Sequence, residues 1–193
     1  MSGFEIVALA ASAGGLNALT HVLGALPRDF PVAILVVQHL DPRHRSLMAE
    51  ILGRRTALKV VQAKHGERVR PGTVQVAPPD NHLLVDAQGV LTLTHTELVH
   101  FVRPSADLLF ESTAASFRER ALAVVLSGSG SDGAMGVKAI KKMGGTVIVQ
   151  DRKSSEFCGM PDAALRTGAA DFVLPLAEIA AALQTLVLTN RGP

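Results

Sequence analysis

Three apolar runs in this chain each end on a side chain that can move a proton or attack a carbonyl. Ile6 to Leu9 leads into Ala10-Ala11-Ser12-Ala13-Gly14-Gly15, Val32 to Val37 into Gln38-His39, and Ala123 to Leu126 into Ser127-Gly128-Ser129-Gly130-Ser131-Asp132-Gly133. A hydroxyl, an imidazole and a carboxylate are the parts of a nucleophilic triad. The acid steadies the ring, the ring takes the hydroxyl proton, and the oxygen attacks an acyl carbon. Each residue also has a purely structural reading. Ser12 and Asp132 suit helix N-caps, and His39 suits a strand end whose ring is satisfied by its neighbours.

The segment Ala10 to Gly14 approximates the G-x-S-x-G nucleophile elbow, with Ala10 at the place of the first Gly. A sharp strand-to-helix turn needs small neighbours, and Ala13, Gly14 and Gly15 supply them. Unpaired N–H groups at the start of the next helix suit a developing oxyanion. Asp41 and Asp80 are rivals to Asp132 for the place of the acid. The last of the three turns also carries a competing motif. Gly128-x-Gly130-x-x-Gly133 matches the dinucleotide fingerprint, and Asp151 stands near the ribose-binding position. Against it, Asp132 beside the third Gly would face a pyrophosphate with like charge, and the turn comes late in the chain. His65, His82, His95 and His100 show no metal-ligand spacing, so no metal is expected. Cys158, before Gly159-Met160-Pro161, has nothing around it in sequence to lower its pKa and reads as an incidental thiol.

Positioning three distant residues on one edge requires a sheet. Alternating strand and helix patterns predict an α/β fold with a doubly wound, mainly parallel sheet and helices on both faces. The near-continuous apolar strands are what a doubly covered sheet requires. Strands are expected over 4–10, 32–38, 58–62, 122–126, 146–150 and 171–174. Helices are expected over 15–25, 105–120, 133–143 and 161–167, with a last one from Pro175. Asp41-Pro42 reads as the start of a helix running to Arg54, with Asp41 as N-cap. Between Gly66 and Thr94, three short runs (Thr73 to Ala77, His82 to Val85, Val90 to Leu93) are separated by turn residues and read as an antiparallel hairpin insertion.

With 193 residues and 48% hydrophobic content, the chain suits one globular domain with a sizeable core. A net charge of +2, with neither Trp nor Tyr, argues against nucleic acid. One Cys, no signal peptide and no long apolar stretch point to a cytoplasmic protein without membrane insertion.

Taken in order, these motifs resemble those of the catalytic domain of the chemotaxis protein-glutamate methylesterase (CheB) family. The resemblance runs from Phe4 to Leu188. It rests on Ala11-Ser12-Ala13-Gly14-Gly15, Gln38-His39, Ala77-Pro78-Pro79-Asp80, Arg103-Pro104-Ser105, Gly128 to Gly133 and Gly159-Met160-Pro161. It implies Ser12 as nucleophile, His39 as general base and Asp132 as orienting acid, with oxyanion donors at the N–H groups of Ala13 and Ser129. It also implies acyl transfer without metal or cofactor: hydrolysis of glutamate γ-methyl esters on methylated chemoreceptor-like helical proteins, with release of methanol. Some members of the family also deamidate glutamine. Many relatives carry an amino-terminal receiver domain. Residues 1–193 are expected to be a single catalytic domain without one: a fragment, a free-standing enzyme or a domain served by a separate regulatory protein. Three residues depart from the family pattern: Ala10 for Gly, Ser129 where Met is common, and Ala13 without a hydroxyl. Two readings compete with the esterase. One is a dinucleotide-binding protein using Gly128 to Gly133. The other is a non-catalytic receptor-binding module; Arg43, Arg45, Arg54 and Arg55 read as a solvated face first and as basic contacts to acidic helices second.

Overall fold

The computed structural model describes residues 3–41, 43 and 46–189. Seven strands, all paired in parallel, form one sheet: β1 (Ile6–Ala11), β2 (Ala33–Gln38), β3 (Lys59–Gln62), β4 (Thr73–Val76), β7 (Ala121–Val125), β8 (Thr146–Gln150) and β9 (Phe172–Leu174). Their order across the sheet is β3-β4-β2-β1-β7-β8-β9. β5 (His82–Val85) and β6 (Leu91–Thr94) form a separate antiparallel pair. The helices are α1 (Gly15–Gly24), α2 (Met48–Gly53), α3 (Ala106–Phe117), α4 (Ala134–Lys142), α5 (Gly159–Arg166) and α6 (Leu176–Thr189).

Alternation along each strand sorts the core into two layers. Val7, Leu9, Ala11, Ile34, Val36, Leu122 and Val124 face α1, α2 and α6. Ile6, Ala8, Ala10, Leu35, Val37, Ala123 and Val125 face α3, α4 and α5. The helix after β1 therefore lies on one face and the helix after the neighbouring β7 on the other. That divergence opens a crevice at the carboxyl ends of β1 and β7, where open α/β sheets bind ligands.

Two expectations are corrected. Thr73–Val76 does not join the antiparallel insertion: it lies in the main sheet between β3 and β2. Val74 and Val76 are buried there, and the intervening Gln75 is buried too, so the run serves a doubly covered sheet rather than a hairpin. The insertion is β5 and β6 alone, resting on α3, where Ser112 and Ser116 bond the Val85 backbone at 3.3 and 2.9 Å. The second correction concerns α2, which begins at Met48 and not beside Asp41. The Asp41 carboxylate is turned to Arg43, and Ser46 Oγ accepts the Met48 N–H at 3.1 Å. Pro42, the expected first helical residue, lies outside the described residues.

Candidate active site

Ser12 directly follows β1 and His39 directly follows β2. The β1–β2 register pairs Ala11 with Gln38, so Ser12 and His39 occupy the next step of the same ladder. The ladder continues to that step: His39 N–H donates to Ala11 O at 3.1 Å, and Gln38 Nε2 donates to Ser12 O at 2.8 Å. Across the crevice, Ser12 N–H donates to Ser127 O at 3.0 Å, joining the β1 end to the β7 end. The Ser12 turn is thus held from both neighbouring strands.

The loop after β7 approaches closely. A Cβ on Gly128 would stand 2.3 Å from Met160 Sδ and 2.9 Å from Ser12 Cβ, so only Gly lets this segment lie against the serine. Ser127 works as a clamp. Its Oγ donates to Ala13 O at 2.9 Å and accepts the Phe157 N–H at 3.0 Å, while its own N–H is taken by Gln150 Oε1 at 2.8 Å. The N–H groups of Ala13 and Ser129 donate no hydrogen bond among the described residues.

His39 and Asp132 meet. Nε2 of the ring and Oδ2 of the carboxylate are 2.7 Å apart, with the two side chains 13% and 3% exposed. Asp132 does not cap its own helix, since α4 starts behind Gly133 without a side-chain cap. Its carboxylate lies instead at the start of α3. Oδ2 accepts Ala106 N–H at 2.6 Å, and Oδ1 accepts Asp107 N–H at 3.0 Å and Ser105 Oγ–H at 2.9 Å. Burial works against the charge, but the bonds from His39, Ala106 and Asp107 outweigh it and hold the carboxyl below its ordinary value. An ionised Asp132 is acceptor-only. The His39 proton therefore belongs on Nε2, which leaves Nδ1 with the lone pair.

Behind this pair stands His82, fully buried, which sequence reading passed over. Its Nδ1 accepts Ser105 N–H at 3.1 Å, so Nε2 carries the proton and donates to Glu97 O at 2.9 Å. The only sequence signal was a lone His opening a short apolar run. Ser105 caps α3, its Oγ accepting Leu108 N–H at 3.5 Å, and also braces Asp132. The rival acids are occupied elsewhere, Asp80 with Arg103 and Asp41 with Arg43.

The structure brings His39 and Asp132 into contact and Ser12 to the adjacent register position. It does not join Ser12 to His39: the Ser12 hydroxyl makes no hydrogen bond among the described residues. The glycine fingerprint is spent on internal packing at Gly128. Asp151, its ribose-binding candidate, bonds Ser154 N–H and Oγ at 2.9 and 2.6 Å. Among the described residues, no group of three or more His, Cys, Asp or Glu side chains is placed to hold a metal ion, and no helix is long and apolar enough to cross a membrane.

Comparison with known proteins gives the family. The family model for CheB methylesterase matches residues 7–183. A protein-glutamate methylesterase, FrzG of Myxococcus xanthus, is 44% identical over 95% of this chain and 55% of its own length. A putative protein-glutamate methylesterase/protein-glutamine glutaminase of Leptospira interrogans is 37% identical over 92% of both chains. The chain spans about half the length of several curated relatives it matches. The crystal structure of the Thermotoga maritima CheB methylesterase catalytic domain superposes with a TM-score of 0.92 at 37% identity, covering 97% of this chain and 100% of that one. These matches favour the esterase over the dinucleotide reading, and this chain belongs to the CheB methylesterase family.

Proposed function

We propose that this chain is a serine esterase that hydrolyses γ-methyl esters of glutamyl residues in chemoreceptor-type helical proteins, and the γ-amide of glutamine by the same route. The observation that carries the reading is the close His39–Asp132 pair, with His39 level with Ser12 at the end of the β1–β2 ladder and the Ser12 hydroxyl bonded to nothing among the described residues. The relatives' names, protein-glutamate methylesterase and protein-glutamine glutaminase, support the substrate class.

His39 Nδ1 takes the proton as Ser12 Oγ attacks the ester carbonyl. The resulting oxyanion is received by the N–H groups of Ala13 and Ser129; one such donor is worth about 10²–10³ in kcat. As the C–O bond breaks, the imidazolium protonates the departing methoxide and methanol leaves. A water then gives its proton to Nδ1 and attacks the acyl-enzyme, freeing glutamate and regenerating Ser12. With an amide substrate, ammonia takes the place of methanol. Asp132 stays ionised throughout and stabilises the charged ring. The reaction as written needs neither metal nor cofactor, and it is assigned to the cytoplasm.

The test is methanol release from methylated receptor fragments by the native chain and by Ser12→Ala. Loss of about 10⁶ in kcat with an intact fold is expected. Undiminished release would remove Ser12 from the mechanism. Binding of the fragments without turnover, and no labelling of Ser12 by a serine-reactive probe, would leave a receptor-binding module instead.

A further inference from the structure

The stretch between β6 and α3 holds a strained turn with an unsupported aromatic at its tip. Val99 and Val102 exchange backbone hydrogen bonds of 3.1 and 2.9 Å across a two-residue turn. Both turn residues, His100 at φ 49° and Phe101 at φ 64°, are left-handed. Turns of this kind favour Asn and Gly, and bulky side chains are strained in them. Around the tip the segment is tied down. Arg103 Nε and Nη2 donate to Asp80 Oδ1 at 2.8 and 2.6 Å, and Nη1 donates to Thr96 O. His100 Nε2 lies 3.2 Å from Asp107 Oδ2 at the start of α3. Phe101 itself is 94% exposed and Leu98 is 54% exposed, so the strain gains no internal packing for the aromatic. Phe101, Leu98, Val102 and Leu40 line the same cleft as His39.

We propose that this turn is a substrate-selecting element, in which Phe101, backed by Leu98, packs on an apolar side chain of the polypeptide that carries the ester. The assignment rests on the esterase reading above. Continuity with the His39 cleft makes the substrate polypeptide the occupant. A methyl ester offers few atoms to recognise, so discrimination between glutamyl residues has to come from contacts away from the carbonyl. An aromatic held out on a braced turn supplies large apolar area with little freedom to lose. Strain kept at a position that packs on nothing inside is what a recognition residue would show.

The test uses helical peptides that carry one glutamyl γ-methyl ester, with Leu or with Ser one turn to either side of it, and N-acetylglutamate γ-methyl ester as a small substrate. The native chain should prefer a Leu peptide by about tenfold in kcat/KM, the range that one apolar contact supplies. Phe101→Gly should bring that preference to within about twofold, and Phe101→Trp should keep it. Phe101→Gly should also melt no lower than the native chain, because it relieves the left-handed strain; a merely structural Phe would cost stability. A native chain without the preference, or a Phe101→Gly variant that keeps it, overturns the assignment. If none of the esters, the small one included, gives Ser12-dependent methanol, the esterase reading falls and this assignment falls with it.

Discussion

Oδ2 of Asp132 lies 2.7 Å from Nε2 of His39, across 93 residues of chain. The same oxygen accepts the Ala106 N–H, and its twin accepts from Asp107 N–H and Ser105 Oγ. Every hydrogen-bond partner of this carboxylate is therefore a donor. The first turn of α3 supplies two of those donors as free helix N–H groups. Three elements converge here: the end of β2 brings the ring, the turn before α4 brings the acid, and the start of α3 holds the acid in its charged form.

Asp132→Asn should therefore do more than remove a charge. Whichever way the amide lies, its NH2 faces an N–H donor from Ala106 or Asp107. If it faces His39, it forces the ring proton onto Nδ1, the nitrogen required as base. A drop of about 10⁴ in kcat is expected, the scale seen when the acid of such a triad is made an amide. A stability loss of about 1–3 kcal/mol should accompany it, from a buried donor left without an acceptor. Methanol-release kinetics and urea unfolding of the variant check both figures. Native kcat in the variant would mean that the ring does not depend on Asp132.

Asp107, next to this carboxylate in the α3 N-terminus, shifts in the opposite direction. Burial drives its carboxyl above the ordinary value, and the Asp132 charge adds to that; the Gly136 N–H and His100 only partly offset it. Its Oδ1 accepts Gly136 N–H at 2.7 Å, whereas Oδ2 faces His100 Nε2 at 3.2 Å and forms no hydrogen bond among the described residues. The two acids should bend the stability curve in different places. Asp132, with its folded pKa lowered, contributes stability fully above the unfolded carboxyl value near ~3.9, and that contribution is lost as pH falls through its lower folded value. Asp107, with its folded pKa raised, contributes stability below that unfolded value and loses it as pH rises through the higher folded one. Asp107→Asn, which can keep the bond to Gly136, should gain on the native chain as pH rises above ~4. Asp132→Asn should lose less than the native chain on further acidification. Urea midpoints from pH 3 to 7 give the comparison, and parallel curves for all three proteins would contradict both assignments.

The sheet was readable because its central strands are unbroken apolar runs, which only a doubly covered sheet tolerates. Once the strands are parallel, the residues that follow them fall on one edge, which makes Ser12, His39 and Asp132 candidates; the choice of Asp132 over Asp41 and Asp80 came from the family resemblance. What escaped depends on contacts between segments far apart in sequence. Thr73–Val76 looks like a hairpin strand because turn residues flank it; nothing local says that it slots between β2 and β3. Asp132 looks like the cap of the helix it precedes, yet it sits at the start of another. Ser127 and His82 carry no local sign of function. One matters because Ala13 O and Phe157 N–H arrive beside it, the other because Ser105 N–H does. The exposed Phe101 follows no periodicity at all, since its position is set by a braced turn rather than by a strand or helix.

Gly128 gives the sharpest test of how the proposed oxyanion donors are held. An Ala there would place its Cβ 2.3 Å from Met160 Sδ and 2.9 Å from Ser12 Cβ. Met160 is fully buried and donates its N–H to Gly128 O at 2.8 Å, so the loop must retreat from Ser12 rather than push α5 aside. The retreat carries the Ser129 N–H with it. Gly128→Ala should lower kcat by about 10²–10³, the loss expected for one oxyanion donor. Overpacking should cost about 1–3 kcal/mol. At Gly130, two residues on, an added Cβ meets nothing within 4 Å, although φ is +84°. Gly130→Ala should therefore cost about 1 kcal/mol of backbone strain and leave the Ser12–Gly128 contact in place. Methanol release and thermal unfolding of the two variants separate the cases. If Gly130→Ala loses as much turnover as Gly128→Ala, the loop acts through its backbone conformation, and close packing on Ser12 is not what places the donor.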